Sequence, residues 1–148
     1  MKTNTVNMQG YYVSDDAIPS SSGIYCVYAG TFNRAADTVS LRKLLYIGES
    51  ANVHDRIAGH ERKSDWRRYL QSGEILIYSF GAVPASDRNR VEAAMIYKHK
   101  PPCNVEYVDS FPFEDTTIYL TGRTELLTTY FVVYNTESRQ LGFGHLRR

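Results

Sequence analysis

Two short segments dense in β-branched and aromatic side chains constrain this chain most: Ile24-Tyr25-Cys26-Val27-Tyr28-Ala29 and Lys43-Leu44-Leu45-Tyr46-Ile47-Gly48. Side chains of that kind pack well on a pleated surface, and both segments read as strands. The turn signal Ser20-Ser21-Ser22-Gly23 precedes the first, and the polar stretch from Gly30 to Arg42 separates the two. That stretch reads as a hairpin loop, longer than the roughly two to five residues usual for one. A hairpin pairs the strands antiparallel, which sets Tyr25 and Tyr46 on neighbouring strands.

A helix is expected next, capped by Ser50 or Asn52. Val53, Ile57 and Ala58 supply its apolar stripe. Arg56 and His60 are four apart, so on one continuous helix they project from the same face. Gly59 weakens the helix locally. Trp66 and Leu70 continue the apolar positions in a second helical piece, which Ser72-Gly73 ends. Glu74 to Phe80 reads as a third strand. Pro84-Ala85-Ser86 starts a further helix, with Ser86 as its cap, Glu92 inside it and Pro101-Pro102 forbidding its continuation. In the tail, Thr116 to Leu120 and Thr129 to Tyr134 read as strands, and residues 135–138 as a turn into a short third segment.

These elements predict an α+β fold: a small, mainly antiparallel three-stranded sheet flanked by helices, with a β-rich C-terminal extension. Residues 1–20 read as an irregular lead-in, 21–104 as the core and 105–148 as an extension packed on the same domain.

The chain has 148 residues, 43% of them apolar and 22% charged, the balance of a globular protein. No apolar run nears the roughly 20 residues needed to span a bilayer, and no membrane partner is expected. The polar start, Met1 to Gly10, lacks a secretory stretch, so an intracellular, cytoplasmic location is expected, and a bacterial or phage origin with it. Cys26 and Cys103 match no zinc spacing and no redox pair, and read as small buried apolar side chains. The formal net charge is only +1, but residues 54–104 carry nine Lys or Arg against six Asp or Glu, whereas 105–148 carry four against six. A mildly basic middle is compatible with nucleic acid without arguing for it.

The tripeptides Gly23-Ile24-Tyr25 and Tyr46-Ile47-Gly48 resemble the two signatures of the GIY-YIG nucleases. Further residues of that family's pattern follow in order: an arginine on the next helix (Arg56), a glutamate on a later helix (Glu92) and an asparagine just beyond it (Asn104). Taken singly, each has an ordinary structural explanation; the specificity lies in their joint order over residues 21–104. The resemblance implies a divalent-metal-dependent endonuclease that hydrolyses DNA phosphodiesters, with one metal ion, Mg2+ or Mn2+.

The residue types suit that chemistry. An anionic phosphodiester gathers further charge on its oxygens in the transition state, so positive charge must be aimed there. Arg56 supplies a permanent, two-pronged cation. Glu92 is a hard ligand for the metal, and magnesium needs only one or two carboxylates when it keeps several waters. The resemblance makes Tyr25 the base toward water, although a free phenol near pKa 10 needs assistance from Arg56, His60 or the metal. Tyr46 is expected to position the water or a phosphate oxygen, and His60 to assist the base or touch phosphate. Gly23, Gly48 and Asn104 are expected to support the site.

Glu49 follows the second tripeptide where some members of that family carry a lysine. It either repels phosphate or pairs with Arg42, Lys43 or Arg56. Arg62, Lys63, Arg67 and Arg68 form a basic segment expected to contact DNA, and a homodimer is expected if both strands are cut. The alternatives are a nucleic-acid-binding module of the same fold without turnover, and a protein-interaction domain using the acidic tail.

Overall fold

The computed structural model describes residues 1–137. Six strands follow one another along the chain: β1 (Lys2–Tyr12), β2 (Gly23–Asn33), β3 (Thr38–Ser50), β4 (Ile75–Ala82), β5 (Thr116–Gly122) and β6 (Tyr130–Val133). They form one mixed sheet in the order β3-β2-β4-β1-β5-β6. Every neighbouring pair is antiparallel except β1 and β5, which run parallel from Lys2↔Thr116 to Met8↔Gly122. Among the described residues three short α-helices accompany the sheet: α1 (Val53–Ala58), α2 (Lys63–Arg67) and α3 (Arg88–His99). No helix among the described residues is long and apolar enough to cross a membrane.

The expected fold class, a three-stranded sheet flanked by helices, is therefore corrected to a larger, mostly β structure. Two departures account for it. Residues 2–12, read as irregular, form β1 in the interior of the sheet. In β1 only Val6 and Met8 are buried, alternating with exposed Thr5, Asn7 and Gln9. Two apolar positions among polar ones give a weak signal, and its partners on both sides hold the strand in place. The tail strands then continue this sheet through the β1–β5 pair. The third segment expected after residue 138 lies outside the described residues.

The hairpin is also tighter than expected. β2 and β3 pair as far as Asn33↔Thr38, leaving only residues 34–37 as the turn. Asn33 Oδ1 accepts the Ala36 N–H at 3.1 Å, and Asp37 takes a left-handed conformation with φ 54°. The ribbon is polar because its tip is exposed, which hid its strands from a hydrophobic reading.

β2 lies between β3 and β4 and is buried on both faces from Gly23 to Gly30, hence its continuous apolar run. Ile24, Cys26 and Tyr28 face the core beneath α3, with Val91, Ala94 and Met95. Tyr25, Val27 and Ala29 face a second core with Val53 and Ile57 of α1 and Trp66 of α2. Neither cysteine is bonded, and both are buried, as read from their spacing.

α3 starts after Asp87 rather than Ser86 and ends at Lys100, left-handed with φ 48°, just before the two prolines. Arg90, a buried cation, fastens it to the sheet. It donates to Thr116 Oγ1 at 3.1 Å, Asn4 Oδ1 at 2.7 Å and Asp87 Oδ1 at 3.1 Å, tying α3 to β5 and β1. That anchorage fixes the rotation of α3 and so the direction in which Glu92 points.

Candidate active site

Tyr25 projects from β2 into the layer beneath α1, and Tyr46 projects from β3 beside it; their ring centroids are 6.2 Å apart. The glycines of the two tripeptides make room. A methyl on Gly48, paired with Tyr25 across the strands, would lie 2.3 Å from the Tyr25 phenol oxygen. A methyl on Gly23 would lie 2.1 Å from the Gly81 carbonyl oxygen on β4. Gly48 thus admits the phenol, and Gly23 admits the neighbouring strand.

The helix carrying Arg56 is shorter than expected. Asn52 caps it, its side chain accepting the Asp55 N–H at 3.1 Å, and Gly59 ends it. His60 lies past the helix rather than on its face, yet the turn there still returns its ring to the cluster. It packs edge-on to both phenols, 6.2 Å from Tyr25 and 5.4 Å from Tyr46, and 4.5 Å from Trp66.

The His60 side chain is fully buried and its Nδ1 accepts the Arg62 backbone N–H at 3.0 Å. Nδ1 therefore carries no proton, and Nε2 does. Burial, then the nearby Arg56, holds the imidazole down to about 4, so it is neutral at pH 7. As it stands His60 is an N–H donor, not a base. Its Nε2 and the Trp66 Nε1 are buried donors without a protein acceptor among the described residues.

Arg56 engages Glu61 with both prongs, at 2.7 and 3.0 Å. The pair holds the Glu61 carboxyl down to about 2 and raises the guanidinium further. Neither phenol is activated: burial first, then Tyr46 for Tyr25 and Glu92 for Tyr46, raises both above their ordinary value.

Glu92 lies on α3 between buried Val91 and Ala93 and lines a cleft of about 80 Å3 with Tyr46, Arg62, Asn104 and Glu106. Burial, then Glu49 and Glu106, pushes its carboxyl up to about 8. Glu92 also tells on both phenols, and Arg56 on all three groups, so the four side chains share one electrostatic neighbourhood. Among the described residues no group of three or more His, Cys, Asp or Glu forms a closed metal cage. A single crowded carboxylate in a small polar cleft still suits a hard cation that keeps most of its waters, since the cation relieves the repulsion that now holds a proton there.

Glu49 pairs with none of the residues expected of it. Arg88 holds it at 2.7 Å and donates also to Ser22 Oγ at 2.9 Å, while Arg42 is taken by Glu74. Asn104 clamps β3: its Oδ1 accepts the Ile47 N–H at 3.0 Å and its Nδ2 donates to the Ile47 carbonyl at 2.9 Å.

The basic segment divides. Arg62 binds Asp65 and the Cys103 carbonyl and lies over the Tyr46 ring, within the site. Lys63 is drawn back onto Asp15 at 2.7 Å. Arg67 and Arg68 are exposed. Sequence reasoning missed Glu61, Trp66, Arg88 and Glu106. Trp66 was read as an apolar helical position, and nothing in the sequence marks the three charged residues as partners of the site. Comparison with protein-family models, with curated proteins and with solved structures finds no match to this chain.

Proposed function

We propose that the protein is a divalent-metal-dependent endonuclease hydrolysing DNA phosphodiester bonds inside a cell. The observation that supports it is the gathering of Tyr25, Tyr46, Arg56 and Glu92, from four different elements, into one electrostatic neighbourhood, with the two phenol rings side by side and Tyr46 and Glu92 lining one cleft. In this reading the scissile phosphate takes the place of the Glu61 carboxylate on the Arg56 fork. A carboxylate and a phosphate present paired oxygens to guanidinium in the same way. Arg56 then offsets the charge that grows on the phosphoryl oxygens.

Glu92 would hold the metal ion, Mg2+ or Mn2+, which when bound supplies a second positive charge and an acidified water. Tyr46 borders the same cleft with the Tyr25 ring beside it, and the His60 ring packs against both phenols with its Nε2–H unsatisfied among the described residues. A donor so placed favours the ionised form of a neighbouring phenol. With Arg56 released from Glu61, the same neighbourhood eases loss of the Tyr25 proton, which the site in its present state opposes. Cleavage of both strands would need two such sites, hence two protomers.

A binding module without turnover is the second reading, favoured by the Arg56–Glu61 pair and by phenols that burial keeps protonated. Plasmid and defined nicked or branched duplexes separate the two. Magnesium-dependent scission that disappears in Glu92→Ala supports the nuclease. Salt-dependent binding with no scission of any of these substrates supports the module.

A further inference from the structure

We propose that a basic groove leaving the Glu92 cleft along the outer edge of β3 carries the sugar–phosphate backbone of duplex DNA; this rests on the nuclease reading. Three depressions adjoin one another there. Arg62 is a wall of the cleft and also of a larger depression of about 350 Å3, bordered further out by Arg68 and Pro102. Pro102 is in turn a wall of a third depression, of about 300 Å3, bordered by Arg42, Lys43 and Lys100. The shared walls set the three side by side along this edge, leading away from the site.

Its charge is one-sided. Five cations border the outer two depressions against one carboxylate, Asp65. Asp65 pairs with Arg62 and Arg68, and Arg42 with Glu74; Lys43 and Lys100 have no acidic partner among the described ion pairs, the Lys100 ammonium donating to the Val108 carbonyl and lying 4.0 Å from the Tyr97 ring centroid. The other flank of α2 differs. There Lys63 and Arg67 border a separate depression together with Asp15 and Glu74. The cationic surface beside the cleft is therefore not the basic segment of the sequence but half of it, joined by residues from β3 and from the end of α3. The β3 backbone at Leu45 and Ile47 is already occupied by Cys103 and Asn104, so this edge offers side-chain charge rather than backbone pairing. A polyanionic strand fits such a surface.

The test uses the full chain carrying Glu92→Gln, so that DNA stays uncut, and reads binding of a defined duplex by fluorescence anisotropy over a range of salt. Adding Lys43→Gln with Arg68→Gln, both exposed, should lower the slope of log affinity against log salt by about 1.8, near 0.9 per lost phosphate contact. Arg67→Gln should leave the slope unchanged, and thermal melts verify that each variant is folded. Lys43→Gln with Lys100→Gln repeats the test with a second pair. An unchanged slope in both pairs, or an equal fall in Arg67→Gln, overturns the groove and leaves the nuclease reading intact. A lowered slope in a protein whose native form cuts no DNA overturns the nuclease reading alone. No binding at low salt overturns both.

Discussion

The phenol of Tyr25 lies across Gly48 on the neighbouring strand, where an added methyl would come within 2.3 Å of its oxygen. Any side chain at residue 48 must push that ring or the β2–β3 pair apart. Gly48→Ala should destabilise the protein by about 1–3 kcal/mol, the usual cost of overpacking. It should also abolish scission even where the protein remains folded. Urea unfolding and plasmid cleavage measure the two effects; a variant as stable and as active as the parent would show that the ring has another place to go.

Glu92 carries a proton in the folded protein up to about pH 8, whereas an unperturbed carboxyl loses it near 4.5. Between those values the native state binds more protons than the unfolded one, so stability falls as pH rises through the window. The fall assignable to this residue is of the order of 2–4 kcal/mol. Glu92→Gln should flatten it and be more stable than the parent above pH 8. Magnesium should raise the parent's melting temperature at pH 8, do so less at pH 6, and have little effect on the variant. A magnesium response equal in both proteins would remove Glu92 from the metal site.

For His60 the sign is opposite. Its folded value near 4 lies below the ordinary 6.5, so the unfolded chain binds the extra proton in between. The native state is then fully favoured above pH 6.5 and loses about 2–3 kcal/mol as pH falls to 4. His60→Gln should remove that part of the acid sensitivity, as chemical denaturation at pH 7 and pH 4.5 will show. A resonance assigned to His60 that titrates near 6.5 in the native protein would contradict the neutral, Nε2-protonated ring.

Glu61 occupies both prongs of Arg56 at 2.7 and 3.0 Å, so DNA must displace it. Glu61→Gln should bind a duplex roughly threefold to tenfold more tightly at low salt, chiefly through faster association. Weaker binding and slower scission would instead make Glu61 the residue that aims the arginine.

Strand-forming stretches with continuous apolar runs, such as β2 and β4, were readable from the sequence because burial on both faces leaves no polar interruptions. β1 was not, since its two buried residues give no period on their own and its position depends on β4 and β5. The extended β2–β3 ribbon escaped notice for a similar reason: its outer half is polar and exposed. At the site, Tyr25, Tyr46 and Glu92 could be listed from the tripeptides and their order, but not their surroundings. That Glu61 rather than solvent meets Arg56, or that Arg88 rather than Arg42 meets Glu49, follows from chain paths that no local spacing encodes. The expectation that Arg56 and His60 share a helical face failed at Gly59, where the helix stops and a turn delivers the histidine instead.

The parallel pair Lys2↔Thr116 joins stretches more than a hundred residues apart, with β1 standing between β4 and β5 in the sheet. Half the sheet therefore waits on a contact that closes late. During synthesis β2, β3 and β4 can assemble by local hairpin and crossover steps. The β4 edge, however, stays open until the first strand docks, and the β5–β6 pair has no sheet edge to join before then. Removing residues 2–12 would thus cut the sheet in two rather than trim an end, detaching the tail along with Thr116 and loosening the Arg90 anchor that sets the rotation of α3.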